Sequence, residues 1–198
     1  LLSNYMRSCL SGEDYHEVQT PLLFNKALWD TSGHSEHYQQ NMFLVESDGQ
    51  PSGFKGMNCP GHMLMFASES RSYRDLPLRF HDQGILHRNE ASGVLGGLTR
   101  VRQFAQDDAH CFITENQIGE EVSRLLKLID ETYQDFDLQY SIELSTRPEK
   151  YLGSLETWER AETELENAIK TSNRPYTISS GDGSFYGPKI DFHVHDAI

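Results

Sequence analysis

The feature that most constrains the fold is a stretch in which two patterned segments flank a glycine-bearing loop. The apolar run at residues 84–86 leads into charged residues, and residues 91–99 then carry three glycines without helical or strand periodicity. Residues 100–112 return with alternating side-chain character. Such segments on either side of a glycine-bearing loop indicate two antiparallel strands. The sequence therefore predicts a hairpin whose return strand covers residues 100–112.

The two predicted strands carry functional side chains on shared faces. Along a strand, alternation would project Arg88 and Glu90 from one face. A guanidinium matches a phosphate or a carboxylate, and a carboxylate can accept from an exocyclic amine such as that of adenine. On the return strand, one face would carry six side chains: Arg100, Arg102, Phe104, Gln106, Asp108 and His110. An aromatic ring within this polar row favours a ligand-binding face over a face turned to water.

These residues resemble motif 2 of the class II aminoacyl-tRNA synthetases, and in particular that of the threonyl type. The resemblance rests on R-x-E, the glycine-bearing loop and R-x-F-x-Q-D-D-A-H. Three further segments are similar to the same family, namely MNCPGH at residues 57–62, STRPEK at 145–150 and FYGPK at 185–189. All of these segments stand in the family's order, and the resemblance spans Trp29 to Phe192.

The resemblance implies an α+β fold in which an antiparallel sheet of the class II type is flanked by helices. It implies that residues 1–198 are a single catalytic domain, incomplete at its C-terminus, because no counterpart of the family's motif 3 arginine precedes Ile198. A helix over residues 1–10 and a strand over 15–20 that stops at Pro21 resemble motif 1. Motif 1 forms the dimer interface in this class, so a homodimer is expected.

The reaction implied by the resemblance is ATP-dependent activation of threonine to threonyl-adenylate, followed by transfer to tRNA(Thr). Activation depends on positioning and on neutralisation of charge at phosphorus. Arg88 would bridge the amino-acid carboxylate and the α-phosphate, and Arg100 would hold the outer phosphates with Mg²⁺. Phe104 would stack on adenine while Glu90 reads its amino edge. The expected partners are therefore ATP, L-threonine and tRNA(Thr).

The resemblance also implies roles outside the ATP site. Lys189 would add positive charge near the reacting groups. His34 matches a family histidine, and a neutral imidazole there could help to move the ribose hydroxyl proton during transfer. The expected amino-acid pocket is lined by five side chains: Gln106, Asp108, Tyr186, Met57 and Tyr38.

A metal site is implied by the resemblance and not by residue spacing. Cys59 and His110 are far apart in sequence, and neither belongs to a C-x2-C or H-E-x-x-H pattern. The family uses residues at these two positions as two of three zinc ligands, and the third ligand, a histidine, is expected beyond residue 198. A hydrophobic pocket separates threonine from valine by only about 10²-fold, so a Zn²⁺ ion that takes the hydroxyl would add the missing discrimination. Asn58 and His62 are expected to be structural.

The composition limits partners and location. A net charge of −13 is unexpected for a chain whose partner is a polyanion, because nonspecific nucleic-acid affinity comes from lysine and arginine. The basic surface for tRNA is therefore expected outside this core. Three widely spaced cysteines imply no disulfide framework, and no apolar run approaches the roughly 20 residues of a membrane span. Cytoplasm and mitochondrial matrix both fit.

Further helices and strands follow from periodicity and capping. Helices are predicted over residues 25–33 and 60–67, and two long ones begin after the Thr114/Gln117 capping box and after Ser154. Strands are predicted at four further places: residues 42–45, 139–144, 176–179 and 189–195.

Three alternative functions stay open on the sequence. A class II enzyme of the seryl or prolyl type would share the motif 2 residues but would not need Cys59 and His110 together. A synthetase-derived module could bind an amino acid or RNA without catalysis. A histidine-rich metallohydrolase fits poorly, because only His193 and His195 have close ligand spacing.

Overall fold

A computed structural model of the chain describes residues 1–195 and contains two compact units. The first unit is Leu1–Phe112 and the second begins at Ile113. Both combine helices with small sheets, which confirms the α+β class. None of the helices in the described part of the chain is long and apolar enough to cross a membrane.

The first unit contains four helices and eight strands in its described residues. In chain order they are α1 (Leu2–Gly12), β1 (Tyr15–Glu17), β2 (Leu23–Asn25), α2 (Lys26–Thr31), α3 (His34–Tyr38), β3 (Leu44–Ser47), β4 (Gln50–Phe54), α4 (Cys59–Ala67), β5 (Leu78–Asp82), β6 (Ile85–His87), β7 (Gln103–Ala105) and β8 (Asp108–Phe112). The sheet orders are β1-β5-β8, β2-β4-β3 and β6-β7. All of these pairs are antiparallel except β1 with β5, which run parallel.

The prediction of one return strand over residues 100–112 is wrong in its extent. Gln106 and Asp107 interrupt it between β7 and β8, opposite Gln83 and Gly84 on the first strand. The register does not slip across this interruption, because the cross-strand pairs are Asp82↔Asp108 before it and Ile85↔Ala105 after it. The hairpin and its alternation of faces are therefore retained.

Side-chain contacts explain why the ladder is interrupted there. The Asp107 carboxylate lies 3.2 Å from His81 Nδ1 and accepts from Gln83 Nε2 at 2.8 Å. On the opposite side, a Cβ at Gly84 would stand 2.8 Å from both Lys55 Nζ and an Asp82 carboxylate oxygen. Glycine is therefore required at this point, where the backbone passes close to a buried ion pair.

Two helices of the first unit begin as the sequence predicts. The side chain of Asn25 accepts a hydrogen bond from the Ala27 amide at 2.9 Å and caps α2. Pro60 stands in the first turn of α4, and Cys59 is the first residue of that helix. The core between these helices and the sheets includes Trp29 and Leu86, which are almost completely buried.

The second unit is a three-stranded sheet with two long helices. Its elements are α5 (Ile118–Asp135), β9 (Tyr140–Ser145), α6 (Leu155–Thr171), β10 (Tyr176–Ser179) and β11 (Lys189–Val194). The sheet order is β10-β9-β11, with β10 parallel and β11 antiparallel to β9. The Thr114/Gln117 capping box forms in the turn before α5, and Ser154 accepts from the Thr157 amide at the start of α6. Both capping predictions are confirmed.

The core of the second unit predicts a stability difference between two isoleucines. Ile169 is fully buried against Ile142 and Leu144, so Ile169→Ala is expected to lower the free energy of unfolding by about 2–5 kcal/mol. The matched control is Ile178→Ala, because Ile178 is 54% exposed and should cost less than about 1 kcal/mol. Urea denaturation measures both, and equal losses would contradict this assignment of the core.

Candidate active site

A cavity of about 210 Å³ in the first unit gathers many of the predicted site residues. Six predicted residues line it: His34, Tyr38, Met57, Arg88, Glu90 and Arg100. Four lining residues were not predicted for the site: Trp29, Asn41, Met42 and Gly56. The cavity therefore brings the predicted phosphate and adenine readers together with the predicted transfer histidine.

One wall of the cavity carries charge. Arg100 Nη2 lies 3.1 Å from a Glu90 carboxylate oxygen, and Glu90 is only 8% exposed. Arg102 Nε donates to the Glu90 carbonyl oxygen at 3.0 Å. Two guanidinium groups and one carboxylate line the cavity itself, so this wall has an excess of positive charge in a chain of net charge −13. The wall therefore suits an anionic ligand.

Arg88 is held at the cavity by contacts with the backbone and with an aromatic ring. Its Nε donates to the Gly56 carbonyl oxygen at 3.2 Å, and its guanidinium carbon lies 5.0 Å from the centre of the Phe104 ring. Strand β6 ends at His87, so Arg88 and Glu90 follow the strand rather than alternate along it, and the Glu90 amide donates to the Arg88 carbonyl oxygen at 2.9 Å. A turn thus directs both side chains to the same cavity.

An aromatic cluster surrounds the imidazole of His34. Its Nδ1 lies 2.8 Å from Ser32 Oγ and its Nε2 lies 3.3 Å from Met57 Sδ. The Trp29 and Tyr38 rings stand 5.9 and 6.0 Å from the imidazole, measured between ring centres. The imidazole is therefore fixed at the cavity and largely removed from water, with 8% of the residue exposed.

The expected metal ligands are neutral in this structure. Burial and the nearby Asp108 carboxylate raise the pKa of the Cys59 thiol to about 11, so the thiol keeps its proton at pH 7. Burial lowers the pKa of His110, while Asp108 opposes that shift. Burial and the neighbouring His110 lower the pKa of His62 to about 4. A cation would have to displace the thiol proton before Cys59 could act as a ligand.

The donor types at Cys59 and His110 fit Zn²⁺, because it binds thiolate and imidazole. Among the described residues, however, neither belongs to a group of three ligand side chains that lie close together. This part of the chain thus offers two donors of the expected type and not a complete set.

The cavity wall does not include all the residues expected in the amino-acid pocket or on the adenine. Phe104 does not line the cavity, but its ring contacts Arg88, which does. Gln106 is exposed. Asp108 accepts from Asn58 Nδ2 at 3.1 Å, so Asn58 contacts a predicted site residue as well as serving a structural role.

Two predicted site residues belong to the second unit. Lys189 Nζ lies 2.8 Å from an Asp191 carboxylate oxygen, and this hydrogen bond raises the pKa of Lys189. Glu143, Asp182 and Asp191 bring carboxylate oxygens close together around this lysine. Tyr186 is 59% exposed, with its ring against Phe185. The charge of Lys189 is therefore already balanced by its own acidic neighbours.

A buried polar cluster behind Cys59 was not predicted from the sequence. Lys55 is 1% exposed, and its Nζ lies 2.8 Å from Thr20 Oγ1 and 3.3 Å from Asp82 Oδ2. His62 is fully buried and lies 2.7 Å from His110, measured between the Nδ1 atoms. Lys55, Asp82 and His62 stand in segments without a periodic hydrophobic pattern. Nothing in the neighbouring sequence therefore indicated that these polar side chains are buried.

The buried ion pair predicts a large loss of stability when it is broken. Lys55→Met would leave the Asp82 carboxylate buried without its cation, so the free energy of unfolding should fall by about 3–5 kcal/mol. The matched control is Arg7→Met, because the Arg7–Glu17 pair is exposed at both side chains and should be worth at most about 1 kcal/mol. Chemical denaturation compares the two, and a loss at Lys55 no larger than that at Arg7 would contradict the prediction.

Comparison with known proteins identifies the family. Residues 43–198 match the family described as tRNA synthetase class II core domain (G, H, P, S and T). A threonine–tRNA ligase of Myxococcus xanthus is 54% identical over 200 residues, covering 100% of this chain and 31% of that protein. Mitochondrial threonine–tRNA ligase 1 of Arabidopsis thaliana is 52% identical over 197 residues, covering 100% of this chain and 28% of that protein.

A solved structure agrees with these relatives. The crystal structure described as the RNA binding domain of threonyl-tRNA synthetase from Cryptosporidium parvum Iowa II has a TM-score of 0.93 and 45% sequence identity, covering 99% of this chain and 49% of that one. The chain spans less than a third of the length of the two curated relatives. On the family match and the whole-chain similarity, the chain belongs to the core domain family of the class II aminoacyl-tRNA synthetases.

Proposed function

We propose that this chain is part of the aminoacylation core of a threonine–tRNA ligase, which activates threonine with ATP and transfers it to tRNA(Thr). The observation that carries the proposal is the meeting of Arg88, Glu90 and Arg100 at one cavity. The similarity to threonine–tRNA ligases along the whole chain supports the choice of amino acid. Residues 1–198 would belong to one catalytic domain of a longer protein.

In the activation step, the threonine carboxylate attacks the α-phosphorus of ATP, forming the acyl–phosphate bond and releasing pyrophosphate. Arg88 would contact both the carboxylate and the α-phosphate and neutralise charge as it develops. Its contacts with Gly56 and Phe104 hold the guanidinium near this place before ATP arrives. A group that is positioned in advance needs little reorganisation during the reaction. Arg88 is therefore the strongest candidate for stabilising the transition state of activation.

Binding of ATP would separate the Glu90–Arg100 pair. Glu90 would accept from the adenine amino group, and Arg100 would turn to the outer phosphates together with Mg²⁺ carried by the nucleotide. The Arg100 side chain is 59% exposed, so this movement does not uncover a buried guanidinium. Phe104 would offer its ring to the adenine, as the resemblance implies.

In the transfer step, His34 would accept the proton of the attacking ribose hydroxyl, directly or through a neighbouring hydroxyl. Its position at the cavity, near Met57 and Tyr38, supports this role. The ester bond to the ribose then forms as the bond between the acyl carbon and the phosphate oxygen breaks.

The amino-acid pocket would be formed by Met57, Tyr38, Gln106, Asp108 and Tyr186. Cys59 and His110 would hold Zn²⁺ together with a histidine from beyond residue 198, and the ion would supply Lewis acidity toward the amine and hydroxyl of threonine. Lys189 would add positive charge near the reacting groups. A homodimer through the residues of α1 and β1, and a location in the cytoplasm or mitochondrial matrix, complete the proposal.

Pyrophosphate exchange tests the proposal. The longer protein that carries this chain should exchange labelled pyrophosphate into ATP when threonine is added, and much less when proline or valine is added. Exchange that is strongest with serine or proline would assign another class II enzyme. Binding of ATP without exchange for any amino acid would favour a synthetase-derived binding module instead.

A further inference from the structure

Three buried groups connect the interior of the first unit to His110. Lys55, Asp82 and His62 are at most 1% exposed. The Lys55 ammonium lies 3.3 Å from Asp82 Oδ2, and the same oxygen lies 3.8 Å from His62 Nε2. His62 Nδ1 in turn lies 2.7 Å from His110 Nδ1. An anion, an imidazole and the predicted metal ligand thus follow one another in a continuous series.

The contact between the two imidazoles requires one proton and one lone pair. At 2.7 Å one Nδ1 atom donates and the other accepts. If His62 Nδ1 donated, its Nε2 would carry a buried lone pair that faces the Asp82 carboxylate, which is repulsive. If His110 Nδ1 donates, His62 Nε2 carries the proton that faces this carboxylate. At 3.8 Å the two groups do not form a hydrogen bond, but the attraction between the buried N–H dipole and the carboxylate favours this arrangement. Electrostatics therefore selects the second arrangement.

We propose that Asp82 is a positioning residue that acts through His62 to hold His110 in its Nδ1–H tautomer, so that His110 Nε2 carries the lone pair. A histidine that binds a metal commonly donates its other ring N–H to a fixed acceptor, which sets its tautomer and orientation. Here the acceptor is His62 Nδ1. The assignment of the tautomer stands on this geometry, while its consequence for a metal rests on the proposed function.

The surroundings of Asp82 hold its carboxylate in place. The Thr20 amide and hydroxyl donate to Asp82 Oδ2 at 3.1 and 3.0 Å. Lys55 donates to Thr20 Oγ1 at 2.8 Å and supplies the positive charge. The backbone at Gly84 passes close to both charged groups, since a Cβ there would stand 2.8 Å from each.

Asp108 is a second anion near His110 and favours the same tautomer more weakly. Its Oδ1 atom lies 4.0 Å from His110 Nδ1, beyond hydrogen-bond distance, and its Oδ2 accepts from Asn58. The direct 2.7 Å contact with His62 is the stronger constraint on the His110 proton.

Nitrogen NMR of this chain, labelled with ¹⁵N-histidine, measures the tautomers without any metal. The spectrum is recorded at pH 8.5, about two units above the ordinary imidazole pKa of about 6.5, so that neutral rings predominate. The expected spectrum has a protonated nitrogen at His110 Nδ1 and at His62 Nε2, and lone-pair nitrogens at His110 Nε2 and His62 Nδ1. A wild-type His110 that is protonated at Nε2 would overturn the proposal.

The variant that tests Asp82 replaces the ion pair as a unit. Lys55→Met combined with Asp82→Asn removes both charges together, and the Asn side-chain oxygen can still accept from the Thr20 amide and hydroxyl. The ratio of the Nδ1–H to the Nε2–H tautomer at His110 should fall about tenfold in this double variant, because the attraction between the carboxylate and the His62 N–H is lost. A ratio unchanged from wild type in a folded double variant would overturn the proposal.

A matched control separates this effect from a general loss of charge. Asp107 lies 3.2 Å from His81 Nδ1 in the same hairpin, so Asp107→Asn should change the spectrum of His81 and leave His110 as in wild type. In the longer protein, the double variant should bind Zn²⁺ about 10–100-fold more weakly, with ATP affinity unchanged. Wild-type protein that binds no Zn²⁺ would overturn the proposed metal role, while the NMR result alone decides the tautomer.

Discussion

Arg88→Ala in the longer protein is expected to lower threonine-dependent pyrophosphate exchange by about 100-fold or more, which corresponds to a loss of about 3 kcal/mol in transition-state stabilisation. The effect should be large because Arg88 is fixed at the cavity by the Gly56 carbonyl and the Phe104 ring. Its charge therefore meets the developing charge at phosphorus without reorganisation. Arg88→Lys should recover only part of the loss, because an ammonium lacks the planar fork of donors.

The chain offers a closely matched control for Arg88. Arg71 Nε also donates to a backbone carbonyl oxygen, that of Phe66 at 3.0 Å, and its guanidinium lies 5.5 Å from the centre of the Phe66 ring. Arg71 does not line the cavity. Arg71→Ala should therefore leave the exchange rate close to that of wild type. Near-normal exchange in Arg88→Ala, or equal losses in both variants, would remove Arg88 from the reaction.

The hairpin and the long helices could be predicted because their signals are local. The Thr114/Gln117 capping box and Ser154 act on amides within the same turn, so a few adjacent residues determine where α5 and α6 begin. Arg88, Glu90 and Arg100 were indicated by the resemblance to motif 2. The alternation of faces expected for them does not hold, because β6 ends at His87 and β7 begins at Gln103.

The strands β2, β4 and β5 could not be predicted from the same signals. In β5, Arg79, His81 and Asp82 are buried although the segment reads as polar. Their burial depends on partners that are distant in sequence: Asp82, for example, meets Thr20 and Lys55 from other parts of the unit. Local periodicity contains no information on such partners. A charged or polar side chain can be buried without a large desolvation penalty only when it is paired, and its partner can lie anywhere in the sequence.

The same reason explains why the amino-acid side of the site was harder to predict than the ATP side. Cys59 was expected as a ligand through resemblance alone, whereas the raised pKa of its half-buried thiol follows from partial burial and from the nearby Asp108 carboxylate. His62 was expected to be structural, and the structure brings it into contact with His110. The contacts of the segment MNCPGH therefore depend on how its helix packs near β8, and residue spacing alone does not indicate them.

Cys59→Ser in the longer protein is expected to lower threonine activation by about 100-fold or more and to reduce its preference for threonine over valine from about 10⁴ toward 10². The physical reason is that a hydrophobic pocket separates these near-isosteric amino acids poorly once the hydroxyl has no metal to bind. ATP affinity should survive, because the cavity wall that holds Arg88, Glu90 and Arg100 does not include Cys59 or His110. Loss of the Cys59 thiol should therefore impair threonine recognition without impairing ATP binding.

Exchange assays with threonine, valine and serine measure this prediction, together with equilibrium binding of ATP and the zinc content of each protein. Cys9→Ser is the matched control, because it makes the same substitution at a cysteine on α1, which does not line the cavity. Serine should still be activated by the wild type, since it also has a hydroxyl for the metal to bind. Wild-type protein that is fully active without metal, or a Cys59→Ser variant that still prefers threonine to valine, would contradict the zinc-dependent discrimination. Either result would leave the role of the Arg88 cavity in ATP binding standing, because that role depends on different residues.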